Sequence, residues 1–214
     1  MKNKQIFFVS GIDTDVGKTI ATGFYANRLT AQGQTVITQK LVQTGCSGIA
    51  DDIQTHRKLQ NLPLQQCDLD GTTCRYVFAY PCSPHLAARL AQTEIDLAQI
   101  TADSQTLAQD YEVVLIEGAG GLAVPLNQEL TALDYLQQQG YPLILVTSGK
   151  LGSINHTLLS LEVCQQRGIA LHALIYNHYP QIDPIIENET KAYLQQYLTT
   201  HFPLAEFVEL RNIL

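Results

Sequence analysis

The sequence predicts an α/β fold, a doubly wound and mostly parallel sheet with helices on both faces. Three observations point to it. Short apolar runs, QIFFV, TVIT, VVLIE, PLILVT and HALIYN, recur along the chain, and several lack polar alternation, as strands buried on both faces do. Amphipathic stretches of helical period lie between them, so that strand, crossover helix and strand repeat. Third, the segment GIDTDVGKT, Gly11 to Thr19, follows the first strand and opens the first helix, the context of a phosphate-binding loop.

The elements follow in order. After QIFFV and the glycine-rich loop, a helical pattern from Thr19 to Gln32 closes at Gly33. TVIT leads to Lys40, and this second strand is expected beside the first. Asp51 and Asp52 open a helix, where the dipole favours acids. Asn61 to Cys82 is irregular and reads as a loop-rich excursion. A helix from Pro84 to Ala91 starts with Ser83 as N-cap and Pro84 in its first turn. VVLIE ends at Glu117, and Gly118, Gly120 and Gly121 then let backbone approach a ligand closely. PLILVT precedes TSGKLGSIN, a helix from Ile154 to Arg167 closes at Gly168, and HALIYN ends at Asn177. In such sheets ligands bind outside the carboxyl ends of the strands, which directs attention to the segments just named.

The 214 residues suit one domain spanning 1–214, with no internal repeat. A formal net charge of −7 argues against a sequence-independent hold on nucleic acid. No apolar segment reaches the length of a membrane span, and MKNKQIFFVSG does not read as a secretory signal. Five cysteines, Cys46, Cys67, Cys74, Cys82 and Cys164, form no C-x-x-C pair, which suits a reducing compartment; the cytoplasm is the expectation. Cys67, Cys74 and Cys82 with His85 match no common zinc spacing and read as buried or half-buried thiols.

The phosphate loop is unusual. Between Gly11 and Gly17 lie five residues, Ile12, Asp13, Thr14, Asp15 and Val16, where the common pattern has four. Backbone N–H groups and the helix N-terminus would point at phosphate oxygens, Lys18 would add a point charge, and the Thr19 hydroxyl can ligate Mg²⁺. Asp13 and Asp15 would repel a polyphosphate unless a metal or an amine-bearing guest stands between; alternatively one of them caps the helix or turns to solvent. Lys40, ahead of the small-residue loop TGCSG, is a candidate stabiliser of charge on a transferring phosphoryl group. Glu117 is the candidate second acid on the magnesium side, and Asp51 or Asp52 is a further one.

Taken together, GIDTDVGKT with its extra residue, QKLVQTG, ADDIQ, FAYPCSPH, EGAGGLAVPL, KLGSINHTLLS and the Asn of IYN resemble, in order, the dethiobiotin synthetase family of the P-loop nucleoside triphosphatase superfamily. The likeness runs from Phe7 to about Asn177. It implies an ATP- and Mg²⁺-dependent cyclo-ligase that joins carbon dioxide to 7,8-diaminopelargonate, with release of ADP and phosphate. By resemblance, Lys18, Lys40 and Thr14 are catalytic, and Asp15, Val16, Gly17, Lys18, Thr19 and Ile20 line the nucleotide. Gly118, Ala119 and Gly120 also line it, and Asn177 reads the adenine with His178 at the rim. Thr19, Asp52 and Glu117 would form the metal shell, and Thr44 and Asp15 would meet the substrate. The family acts as a homodimer in which Gly152, Ser153, Ile154 and Asn155 hold the substrate carboxylate of the other subunit.

The sequence also departs from the family pattern. Leu41 stands where many relatives have Pro, and Asp15 replaces a longer Glu. The C-terminal G-x-I-P segment appears only as AEFVEL, which leaves Phe207, Val208 and Glu209 as its nucleotide-contact candidates. A nucleotide-operated switch or partition protein is the rival from another class, but such proteins often carry an early loop lysine, and Ile12, Asp13 and Thr14 are not basic. A non-catalytic regulatory module would not need Lys18, Lys40 and Glu117. A corrinoid amide ligase would need a glutaminase domain for which 214 residues leave no room.

Overall fold

A computed structural model describes residues 4–180 and 183–211. Its centre is a six-stranded sheet in the order β2-β5-β1-β6-β7-β8, built from β1 (Gln5–Gly11), β2 (Val36–Lys40), β5 (Val113–Gly121), β6 (Leu143–Ser148), β7 (Leu171–Asn177) and β8 (Glu206–Leu210). Every neighbouring pair is parallel. Successive strand residues alternate between two apolar layers. Phe7, Val9, Leu115 and Val146 meet Ala21, Tyr25 and Leu29 of helix α1 (Lys18–Ala31) on one face. Phe8, Ile116, Leu145 and Leu174 pack on the other, against Ile100, Leu107, Leu136, Leu161 and Leu194. Those residues come from α5 (Leu97–Asp110), α6 (Ala132–Gln139), α7 (Ser153–Gln166) and α8 (Pro184–His201).

The five expected strands are present, and the helices at 19–32, 84–91 and 154–167 appear as α1, α4 (Pro84–Leu90) and α7. Ser83 occupies the N-cap of α4, although its side chain makes no capping bond. One expectation is corrected, and two further features appear. The second strand does not lie beside the first: β5 separates them, because β1 pairs with β5 and β6 while β2 pairs only with β5. Apolar patterning identifies a strand, but the lateral order depends on which crossover fills which gap. AEFVEL is a sixth strand, parallel to β7 with Asn177 opposite Leu210. The excursion after Asn61 holds helix α3 (Gln66–Leu69) and strand β4 (Val77–Phe78), which pairs with β3 (Gln43–Thr44) as a second small sheet. Helix α2 (Asp51–Leu59) opens with the two acids as expected. Cys74 and Cys164 are buried and Cys46, Cys67 and Cys82 half-buried. Among the described residues no helix is long and apolar enough to cross a membrane.

Candidate active site

The phosphate loop leaves β1 and is fixed from several sides. The Ile12 amide donates to the Val146 carbonyl at 3.0 Å, and Asn177 Nδ2 donates to the Val16 carbonyl at 3.0 Å. Gly17 is required here for two reasons: its φ is +91°, and a Cβ on it would lie 2.4 Å from Asn177 Nδ2. It is also the N-cap of α1, and no side chain caps that helix, so neither loop aspartate does so. Asp13 and Asp15 are both exposed, and Asp13 Oδ1 accepts from the Thr14 amide at 2.7 Å. Solvent screening is therefore how the two acids coexist in this structure. Lys18 is buried and donates to the Asp13 carbonyl at 2.9 Å. Burial first, and then the Lys40 charge, lower its pKa. Thr14 is exposed at the loop tip, and Ile20 packs half-buried beside the α1-side core.

The second half of the site is buried. Lys40 and Glu117 are register partners in adjacent strands, and Lys40 Nζ lies 2.9 Å from Glu117 Oε1 and 3.1 Å from the Gly118 carbonyl. The insertion of β5 next to β2 produces this contact. Asp52 Oδ2 meets the same ammonium at 2.5 Å, whereas Asp51 is exposed and its carboxylate accepts from Gln54 of its own helix, so Asp52 is the acid brought to the centre. Gln43 Oε1 accepts from the Asp52 amide at 3.3 Å and ties the start of α2 to the small sheet. Thr44 is half-buried on β3, and Gly45 behind it donates to the Phe78 carbonyl. Leu41 is fully buried and its amide donates to the Glu117 carbonyl at 2.8 Å, a bond that proline could not make.

Thr19 joins the two halves: its Oγ1 donates to Glu117 Oε1 at 3.0 Å. Glu117 is 0% exposed. Burial alone would raise its pKa, but Lys40 and the His56 bond outweigh it and hold the carboxyl well below the usual carboxylate range. Burial likewise works against the Lys40 charge, and Glu117 and Asp52 overcome it, raising the Lys40 pKa. Two carboxylates and a hydroxyl converging beside a phosphate loop fit magnesium, which takes one or two carboxylates together with nucleotide phosphates. Among the described residues no group of three or more His, Cys, Asp and Glu is placed to hold a metal, so any such ion would depend on the nucleotide for further ligands.

Sequence patterning missed the residues behind Glu117. His56 and Arg57 are buried; His56 bridges Glu117 Oε2 and Thr38, and Arg57 grips both oxygens of Asp68. Asp52 and His56, four apart on one helix, share a face, and that spacing was the available signal.

At the end of β7, Asn177 is engaged internally, since its Oδ1 also accepts from the Tyr179 amide at 3.0 Å. His178 is held between Glu187 and Glu209, and Glu209 also meets Lys191 and Arg211. Hydrogen bonds from Arg211 and His178 offset the effect of burial and lower the Glu209 pKa. His178 and Tyr179 border a cleft of about 730 Å³ together with Glu187, Lys191 and Arg211. Phe207 stacks on Tyr176 and Val208 is buried in the core, so Glu209 is the member of that trio whose side chain reaches the cleft wall, through His178.

A smaller cleft of about 260 Å³ lies between the loop and the start of α7; Asp13, Thr14, Asp15, Lys150, Gly152 and Ser153 are among its walls. Gly118 is buried, and Ala119 and Gly120 continue β5 as half-buried residues. Asn155 is exposed and is not among the residues lining this cleft.

Known proteins resemble this chain in sequence and in fold. A family model described as an AAA domain matches residues 5–209. ATP-dependent dethiobiotin synthetase BioD 2 of Pasteurella multocida is 56% identical over 98% of this chain and 99% of its own. Its namesake in Haemophilus ducreyi is 60% identical over 95% and 97%, and the Chlorobaculum tepidum BioD is 50% identical over 87% and 78%. Among solved structures, a plasmid partition protein from Borrelia burgdorferi superposes with a TM-score of 0.57 at 14% identity, covering 98% of this chain and 91% of that one. A ParA family ATPase from Chlorobium tepidum gives 0.54 at 14%, covering 99% and 86%. At such identities the structural likeness speaks for the fold alone, whereas the sequence relatives speak for the family. With its extended phosphate loop, its Lys40–Glu117 pair and relatives this similar along nearly their whole length, the chain belongs to the ATP-dependent dethiobiotin synthetase family.

Proposed function

We propose that this enzyme closes the cyclic urea of dethiobiotin from 7,8-diaminopelargonate, carbon dioxide and ATP. One amine attacks carbon dioxide and loses a proton, giving a carbamate. The γ-phosphoryl group passes to a carbamate oxygen with departure of ADP, and the second amine then attacks the carbamoyl carbon, expelling phosphate as the ring closes. The observation that carries this reading is the Lys40 ammonium, fixed by Glu117 and Asp52 beside Thr19. A buried, preorganised positive charge there opposes the negative charge that builds up on the transferring group. Lys18 and the α1 N-terminus bind the phosphates. Thr19, Asp52 and Glu117 would hold a magnesium ion, which would supply positive charge to neutralise the phosphates.

The exposed carboxylates of Asp13 and Asp15 suit a diamine, and Thr14 and Thr44 would flank the carbamate. A homodimer in which Gly152, Ser153, Ile154 and Asn155 serve the partner's substrate accords with the exposure of Asn155 and with Leu151 being 79% exposed. The adenine would sit beside Asn177 and His178, and the enzyme would work in the cytoplasm. Phosphate release from ATP with bicarbonate tests the proposal: addition of the diamine should raise it strongly and yield dethiobiotin. Release indifferent to the diamine would point to a nucleotide switch instead.

A further inference from the structure

The bonds of Glu117 are divided between its two oxygens. Oε1 faces the site and takes Lys40 Nζ at 2.9 Å and Thr19 Oγ1 at 3.0 Å. Oε2 faces away from these two groups and meets His56 Nε2 at 2.7 Å. The last torsion of a glutamate is broad, so a carboxylate held on one oxygen alone can swivel. Held on both, it keeps one lone-pair edge towards the site.

His56 is itself fixed. Its Nδ1 lies 3.0 Å from Thr38 Oγ1, which accepts from Arg57 Nη1 at 2.8 Å, while Arg57 forms a two-bond pair with Asp68 at 2.9 and 2.8 Å. Only one proton arrangement of a neutral ring satisfies every member of this row. The ionised Glu117 can only accept, so Nε2 carries the ring proton and Nδ1 is an acceptor; the Thr38 hydroxyl, which accepts from Arg57, then donates to Nδ1. On α2, Asp52 and His56 thus act as a pair from one face, the first on Lys40 and the second on Glu117.

We propose that His56 is a positioning residue of the active site: by holding Glu117 Oε2 it presents Oε1 to Thr19 and to the divalent cation, and so sets cation affinity. This rests on the metal role proposed above for Glu117. Partners that orient a ligating carboxylate typically affect metal affinity by about 10- to 100-fold.

The test compares His56→Leu with His56→Gln, whose amide can place a donor near the position of Nε2. Binding of Mn²⁺ to the enzyme with ADP, followed by electron paramagnetic resonance, needs no diamine and no turnover. His56→Leu should weaken Mn²⁺ about tenfold and lower kcat while KM for the diamine stays within about twofold, and His56→Gln should recover most of both. Unchanged Mn²⁺ affinity in folded His56→Leu overturns the role, as does equal loss in the two variants. Should neither variant fold, Thr38→Val decides: it removes the hydroxyl that orients the ring, and it should weaken Mn²⁺ by several-fold, whereas unchanged affinity overturns the proposal. A wild type that binds Mn²⁺ and ADP but ignores the diamine would overturn the reaction, and the Mn²⁺ comparison would still judge His56.

Discussion

The phosphate loop and the surroundings of Glu117 meet at Thr19 yet treat charge in opposite ways. On the loop, Asp13 and Asp15 stand in solvent and Lys18 turns its ammonium onto a backbone carbonyl. Behind it, Lys40, Glu117 and His56 are buried and bonded to one another, with Asp52 closing the group. Burial explains the contrast. An uncompensated charge away from water is expensive, so the inner groups are tied together by folding, whereas exposed carboxylates cost little to leave without a counter-charge and are accessible to a guest that brings one. One region is assembled by the fold, and the other is shaped to receive.

The largest effect should come from removing the cation of the inner region. Lys40→Gln leaves Glu117 and Asp52 without the ammonium between them and takes away the charge proposed to act on the transferring phosphoryl group. We expect turnover to fall by at least ~10²–10³-fold and stability to drop by about 3–5 kcal/mol, read by steady-state kinetics and by thermal melting. A variant that melts like the wild type would break the contrast between the regions.

On the loop the expectation reverses. Asp15 adopts φ +58°, a conformation that asparagine tolerates, so Asp15→Asn removes charge without straining the backbone. Its stability should stay within about 0.5 kcal/mol of wild type, while KM for the diamine rises by roughly tenfold, a loss of about 1.4 kcal/mol. A melting shift as large as that of Lys40→Gln would mean that the acid belongs to the folded scaffold.

The smallest effect is a control outside both regions. Asp134 closes the capping box of α6 with Thr131 and pairs with Arg167 of the neighbouring helix. The Thr131 and Arg167 bonds hold its pKa down to about 2. A depressed folded-state pKa gives stability above the unfolded value of about 4 that is lost as pH falls through the folded one. Asp134→Ala should therefore cost about 1 kcal/mol near neutral pH, with unchanged kcat. The difference from wild type should shrink between roughly pH 4 and pH 2, and denaturant melts across that window check the sign.

The same contrast explains what the sequence revealed. The loop is contiguous in the chain and its chemistry is written in adjacent residues, so Lys18, Thr19 and both acids are legible there. Lys40 and Glu117 are legible because each ends a buried apolar run. His56 and Arg57 are not, because DDIQTHRKL is polar enough to pass for a solvated helix. They are buried only because Glu117, Thr38 and Asp68, distant in sequence, supply partners for their nitrogens. Strand order was hidden for a similar reason: periodicity within a segment is blind to which segment becomes its neighbour. β8 escaped notice because EFVEL is short, with two glutamates in five residues, and lies at the sheet edge.

The uniform direction of the six strands also bears on how the enzyme can be handled. β1 starts at Gln5, at the end of the sheet opposite the phosphate loop, whereas β8 ends at Leu210, whose carbonyl accepts from the amide of His178 at the cleft wall. An affinity handle or surface tether ahead of β1 would therefore trail away from the chemistry. Arg211, next after β8, lines that cleft, so a handle added at this end is the one to compete with whatever enters it.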